Sequence, residues 1–192
     1  MNIKDIILYK LFGNITGPRR LKDWLDFVYY QLGKQRYNFY LNKLTKEQDG
    51  SIKATKWKKY SELCFVLDAN FIDGIDVDVN QRQIMPCELV FDFEDWKSYW
   101  NFIDLLEKKN VDLYILAYKT HSRGVHVHMF EPFARPFQKE VYERLVKFVG
   151  ADVQKLGAKS MIALEFAQHW KSGKPKELIY ANARCLDLLG AS

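Results

Sequence analysis

Four side chains between Pro86 and Phe130 have the types and spacing of a site that handles charged substrates. Asp92 and Glu94 stand two apart in the run PCELVFDFED, and Leu89, Phe91 and Phe93 alternate with them. A strand has a period of two, so the two carboxylates share one face and the apolar residues the other. Carboxylates side by side repel each other unless a cation sits between them. The run HSRGVHVHMF repeats the device with imidazoles, His126 and His128 alternating with Val125, Val127 and Met129. If the two strands are neighbours, an acidic pair lies beside a basic, imidazole-rich pair, as in a metal–triphosphate site. Each feature alone has an ordinary reading. A D-x-E at a strand end is commonly a solvent-facing pair, and H-x-H needs a third ligand to hold zinc, which the sequence does not offer.

The elements that must position these residues follow from periodicity. Asp5 to Phe12 predicts a short first helix, and Asn14 to Arg20, with Gly17 and Pro18, a loop. Leu21, Trp24, Leu25, Val28 and Leu32 recur at helical spacing, and Gly33 supplies a stop. Arg36 to Leu44 alternates as a strand. Thr45 to Lys59 is polar and Lys-rich with a turn marked at Asp49-Gly50, Glu62 to Leu67 reads as a strand, and Asp68 to Met85 as a loop. Asp73, Asp76 and Asp78 in that loop miss the calcium-loop spacing and read as solvated.

Past the acidic strand, Asp95 can N-cap a helix carrying Trp96, Tyr99, Trp100, Ile103 and Leu106. Trp96, Trp100, Phe102 and Phe148 are expected in the core. Val111 to Tyr118 predicts a buried strand, His121 to Gly124 a turn, and His121 itself a solvated residue. Pro136 can open a helix bearing Phe137, Val141, Leu145 and Phe148 that Gly150 ends. Met161 to Phe166 and Glu177 to Ala181 predict strands about the turn Lys171-Ser172-Gly173-Lys174-Pro175. Lys171, Lys174 and Lys176 alone would be a solvated basic turn.

From Glu88 onward the order is β-α-β-β-α-β, the split βαβ layout, with helices on one sheet face. The other face, bearing Asp92, Glu94, His126 and His128, is expected to be free. The fold class is therefore α+β with mixed α/β order. Residues 1–85 form an N-terminal αβ lobe against an RRM-like lobe at 86–192, together one compact catalytic domain.

Composition bounds the partners. The chain has 192 residues, 48% hydrophobic and 15% aromatic, enough to bury a core, and a net charge of +5 compatible with a polyanionic partner. Cys64, Cys87 and Cys185 are scattered with no C-x-x-C, so no structural zinc is expected and a reducing, intracellular setting is the default. No apolar run reaches the length of a membrane span, and Met1 to Lys10 lacks a signal-peptide pattern.

The pairing of DFE with SRGVH, followed by a further acid and the H-x-K-S-G turn of HWKSGK, resembles the small catalytic subunit of archaeo-eukaryotic-type DNA primases. The match covers roughly Glu88 to Lys174. It implies a primase-type core with a two-metal Mg²⁺ or Mn²⁺ site and no zinc. Asp92 and Glu94 match the metal-binding acids, with Glu94 where the family more often has Asp. Ser122, Arg123 and His126 match the triphosphate-binding strand, and His169 and Lys171 the later nucleotide-binding turn. Asp152, after the helix ending at Gly150, is the best match for the third acid, and Glu165 is its rival. The chain departs from the family in lacking the zinc-knuckle cysteines, in its short length, and in reading ALEFAQ before the turn.

The resemblance further implies template-directed primer synthesis. The partners would be single-stranded DNA and nucleoside triphosphates, with a primase large subunit beside the chain and a nucleoid-associated cytoplasmic location in a prokaryote. Arg19, Arg20, Lys56, Lys58 and Lys59 are candidate template contacts. In such chemistry, carboxylates supply hard oxygen ligands to paired metals, while cationic side chains stabilise the departing pyrophosphate. Two rivals use parts of the same pattern. RGVHVHMF shadows the consensus of RNA-recognition domains, but Val125 and Val127 stand where aromatics stack bases. A metal-dependent nuclease would use the carboxylates without needing the basic turn.

Overall fold

The computed structural model describes residues 24–36, 39–46, 48–49, 52–60, 78–121, 124–151, 160–165, 174 and 176–188. They form an α+β fold with two antiparallel four-stranded sheets. The first sheet has the order β2-β1-β3-β7, with β1 at Phe39–Lys46, β2 at Ile52–Tyr60, β3 at Asp78–Gln83 and β7 at Met161–Ala163. The second has the order β4-β6-β5-β8, with β4 at Glu88–Phe93, β5 at Tyr114–Lys119, β6 at Val125–Phe130 and β8 at Glu177–Ala181. Helices α1 (Trp96–Lys108), α2 (Lys139–Val149) and α3 (Ala183–Leu188) complete these elements, with a π-helical turn at Phe27–Leu32. Among the described residues, no helix is long and apolar enough to cross a membrane.

The expected split βαβ unit is present: β6 lies between β4 and β5 and runs antiparallel to both. Its last strand is placed differently. The strand after α2, β7, joins the first sheet by pairing with β3, while β8 pairs with the open edge of β5. The first sheet is thus built from chain on both sides of residue 85, and the second from chain past it alone. The polar, Lys-rich run at 45–59 holds most of β2, and the segment at 68–85 expected as a loop contains β3. Among the described residues, β2 is an edge strand of its sheet. Asp78, expected in that loop, opens β3. The first helix at 5–12, the strand at 62–67, and Asp73 and Asp76 lie outside the described residues.

Alternation decides which side chains meet. Leu89, Phe91, Phe93, Ile115, Ala117, Val125, Val127 and Met129 face α1 and α2 and pack on Tyr99, Phe102, Ile103, Tyr142 and Val146. Asp95 caps α1, its Oδ1 accepting from the Ser98 N–H at 2.8 Å, and Gly150 ends α2 in the left-handed region at φ 71°. Tyr142 also seals the edge of β4: its hydroxyl accepts from the Val90 N–H at 3.0 Å and donates to the Val90 carbonyl. The helix faces correct two expectations. α2 buries Tyr142 and Val146, leaving Val141, Leu145 and Phe148 exposed, and α1 leaves Trp96 and Trp100 exposed. The helix at Pro136 begins three residues later, at Lys139, with Gln138 as its N-cap.

The opposite sheet face is not free. Trp24, Leu25, Phe27, Val28, Tyr29 and Leu32 cover it, packing with Met85, Leu116, Tyr118, Phe130, Leu164 and Ala181. Gly33 closes this segment against Met85, whose sulfur would lie 2.1 Å from any added Cβ. The apolar side of the predicted N-terminal helix needed a surface, and this face supplied it.

Between the sheets lies a buried ionic cluster. Arg82 of β3 bonds Glu165 through Nε at 2.9 Å and NH2 at 2.7 Å, and Glu88 through NH1 at 2.7 Å and NH2 at 2.6 Å. One carboxylate cannot satisfy the five donors of a guanidinium; here two acids from two elements take four and the Gln83 carbonyl accepts the fifth. Replacing Arg82 by Met would leave Glu88 and Glu165 buried without their shared counter-charge. The expected loss, read by urea unfolding, is about 3–5 kcal/mol, far above that of an exposed Arg135→Met control.

Candidate functional site

The site begins with a register. Asp92 of β4 stands directly opposite His126 of β6, and Tyr118 of β5 stands opposite His126 on its other side. Cross-strand neighbours on one face come within contact of each other. His126 Nε2 accordingly lies 3.3 Å from Asp92 Oδ2. His126 is almost wholly buried, whereas the Asp92 side chain keeps 23% of its surface exposed. Glu94 falls just past the end of β4 and is exposed. The two acids therefore differ: Asp92 is held by an imidazole, and Glu94 extends into solvent beside it in the chain.

Gly124 brings the acidic strand end and the turn between β5 and β6 together. A Cβ built on Gly124 would sit 1.7 Å from the Phe93 carbonyl oxygen and 3.0 Å from the Glu94 Cα. The glycine is needed because the end of β4 presses on it and leaves no room for a Cβ. Thr120 closes the same turn, its N–H and hydroxyl both donating to the Gly124 carbonyl at 3.0 and 2.9 Å. His121 takes a left-handed conformation at φ 56°. It is not simply solvated, since its Nε2 lies 3.0 Å from Glu177 Oε2 on β8.

His128, one step along the same face, is fully buried in the ionic cluster and does not face a cleft. Its Nδ1 is 2.6 Å from Glu88 Oε1, and its Nε2 is 3.1 Å from the Lys176 Nζ. An ammonium has no lone pair, so Nε2 must accept and Nδ1–H must donate to Glu88. Burial, then the charge of Lys176, holds the His128 pKa well below its ordinary 6.5. Burial alone would raise the Glu165 carboxyl, but Arg82 and Lys176 outweigh it and draw it down from 4.5 to about 2. Both Glu165 oxygens are engaged by Arg82, so this acid is committed to the clamp and not turned toward Asp92. The residues sequence reasoning missed here are Arg82, Glu88 and Lys176. Only Glu88 left a signal, by alternating onto the face of Asp92.

Ser122, Arg123, Asp152, His169 and Lys171 lie outside the described residues, as do Arg19 and Arg20. Among the described residues, no three His, Cys, Asp or Glu side chains converge as a ready metal-ligand set. Asp92 and Glu94 offer carboxylate oxygens at a solvent-accessible strand end, and such hard donors suit Mg²⁺ or Mn²⁺. The positions that would stack bases in an RNA-recognition domain, Val125 and Val127, are buried under the helices.

Two outcomes follow from this geometry. His128 takes up a proton in the unfolded chain but resists it when folded, so its contribution is intact above pH 6.5 and is lost as pH falls below that value. Glu165 adds a second loss as pH falls from 4.5 toward 2. Unfolding measured across pH should show stability declining on the acid side in these two stages, and His128→Gln should flatten the first. Gly124→Ala should force β4 and the turn apart, lowering the melting temperature and shifting the backbone amide resonances of Phe93 and Glu94.

No protein-family model, no curated protein and no solved structure matches the chain.

Proposed function

We propose that the chain is a primase-type nucleotidyltransferase that extends a primer on single-stranded DNA from nucleoside triphosphates. The observation that carries this reading is the cross-strand pair of Asp92 and His126, with Gly124 locked against the end of β4. It joins the acidic motif and the S-x-x-x-H motif of the primase resemblance at one sheet position. The split βαβ order of β4, α1, β5 and β6 supports a lobe of the RRM-like kind, with β8 on β5 as a departure from it.

Asp92, Glu94 and Asp152 would hold the divalent metal ions. When bound, such ions stabilise the charge that develops on the reacting phosphate and its leaving group. The chain's own residues do the rest. His126 stands beside Asp92 and presents an imidazole to the phosphates of the incoming nucleotide, with Ser122, Arg123, His169 and Lys171 as further phosphate contacts. The commitment of Glu165 to Arg82 favours Asp152 as the third acid. A large subunit would act as the partner in assembly.

The reading is tested by incubating the protein with labelled nucleoside triphosphates, Mg²⁺ or Mn²⁺ and single-stranded DNA. Template-dependent product is expected, and cutting or simple retention of the template would overturn it. Asp92→Asn should abolish synthesis with the fold retained, because the side chain is partly exposed and its partner imidazole can still be bonded by an amide. His126→Ala should weaken triphosphate binding by about tenfold, the worth of one charge-assisted contact. Its affinity for single-stranded DNA should be nearly unchanged.

A further inference from the structure

Lys176 belongs by sequence to a basic turn, yet it is 2% exposed. A lysine is almost never buried so deeply unless paired. Its ammonium donates to His128 Nε2 at 3.1 Å and to the Ala163 carbonyl at 3.2 Å, and stands 4.8 Å from the centre of the Tyr118 ring. Tyr118 in turn meets His128 edge-on, their ring centres 5.0 Å apart.

Those two rings surround His126. Tyr118 is its cross-strand neighbour, and His128 is the next residue on its face, with ring centres 6.1 Å apart. Across the other neighbouring strand stands Asp92. We propose that Lys176 is a positioning residue for His126: it selects the Nδ1–H form of His128 and clamps His128 and Tyr118 into the floor on which His126 rests.

The physical case is one of forced donors and acceptors. His128 is faced by Glu88 from β4, Arg82 from β3, Glu165 after β7, Lys176 before β8, Tyr118 from β5 and His126 from its own strand. Among the described residues, only Lys176 donates to Nε2, and Glu88 accepts from Nδ1. Among the described residues, Arg82 and Lys176 stand against Glu88 and Glu165, two cations with two anions, and a neutral His128 fits that balance. Removing the ammonium leaves the ring without a donor on Nε2 and with an excess of negative charge around it. Nε2 then gains a proton, by tautomer exchange or by full protonation, and the ring loses its fixed orientation beneath His126. The consequence for nucleotide binding rests on the functional reading above; the resonances that test the positioning role do not.

The test is the imidazole nitrogen spectrum of the full chain near neutral pH. In the wild type, His128 should carry its proton on Nδ1 with Nε2 in the unprotonated range. In Lys176→Met, Nε2 should move to the protonated range and the His126 ring nitrogens should shift with it. Lys174→Met, which removes the same charge from an exposed neighbour, should leave both rings as they were. A wild-type His128 protonated on Nε2 overturns the proposal, and this measurement stands even if Lys176→Met fails to fold. Unmoved His126 resonances in a folded Lys176→Met protein overturn it equally. Loss of template-directed synthesis by the wild type would sink the functional reading while leaving these resonances to decide the positioning role.

Discussion

The bidentate grip of Arg82 on two acids is the contact on which the rest of the structure depends. Arg82 comes from β3 of one sheet, Glu88 from β4 of the other, and Glu165 from the chain just past β7. Desolvating a guanidinium is costly, and only well-placed counter-charges with good hydrogen bonds offset it. Here the fork is fully used, and the cluster extends through His128 to Lys176. Removing one member strands the others, which ties the relative placement of the two sheets to a single set of bonds. The apolar contact of Ile84, Val90 and Ile162 lies across the same boundary and tolerates small shifts. The ionic fork does not, because its geometry is directional.

This clamp explains why the histidine strand divides its labour. His128 is drawn into the cluster and is kept neutral by burial and by the neighbouring ammonium. His126, two residues earlier, has the partly exposed Asp92 opposite it. The same alternation that puts both rings on one face thus yields one structural imidazole and one at the edge of solvent. The difference comes from what stands beside each ring: His128 is enclosed by the clamp, and His126 lies against an Asp92 side chain that keeps part of its surface exposed.

Gly124 and Tyr142 then hold the accessible end in shape. Contact of the Phe93 carbonyl with Gly124 leaves no room for a side chain, so the start of β6 is held closely against the end of β4. On the outer edge of β4, the Tyr142 hydroxyl pairs with both backbone groups of Val90 and removes an unpaired edge two residues from Asp92. A site on a strand end supported from both sides is better fixed than one on a free loop.

Local physics made several elements readable from sequence. Period-two alternation marked β4 and β6 and sorted their faces. Asp95 and Gly150 marked helix ends, because a short acceptor caps exposed N–H groups and only glycine enters the left-handed region at little cost. The chemistry of Asp92 and His126 was visible as residue types on alternating strands. What no local pattern could state was which strands would pair and what would cover them. Val141, Leu145 and Phe148 have helical spacing as good as that of the buried Tyr142 and Val146, and only docking on the sheet chose between the faces. β7 left its expected sheet because β3 offered it an edge, and β3 itself was hidden in a polar run. Lys176 read as a solvated charge because nothing within a few residues of it announces His128 or Glu165. Long-range electrostatic pairing is written in residues far apart in the chain, and only the tertiary structure brings such partners within bonding distance.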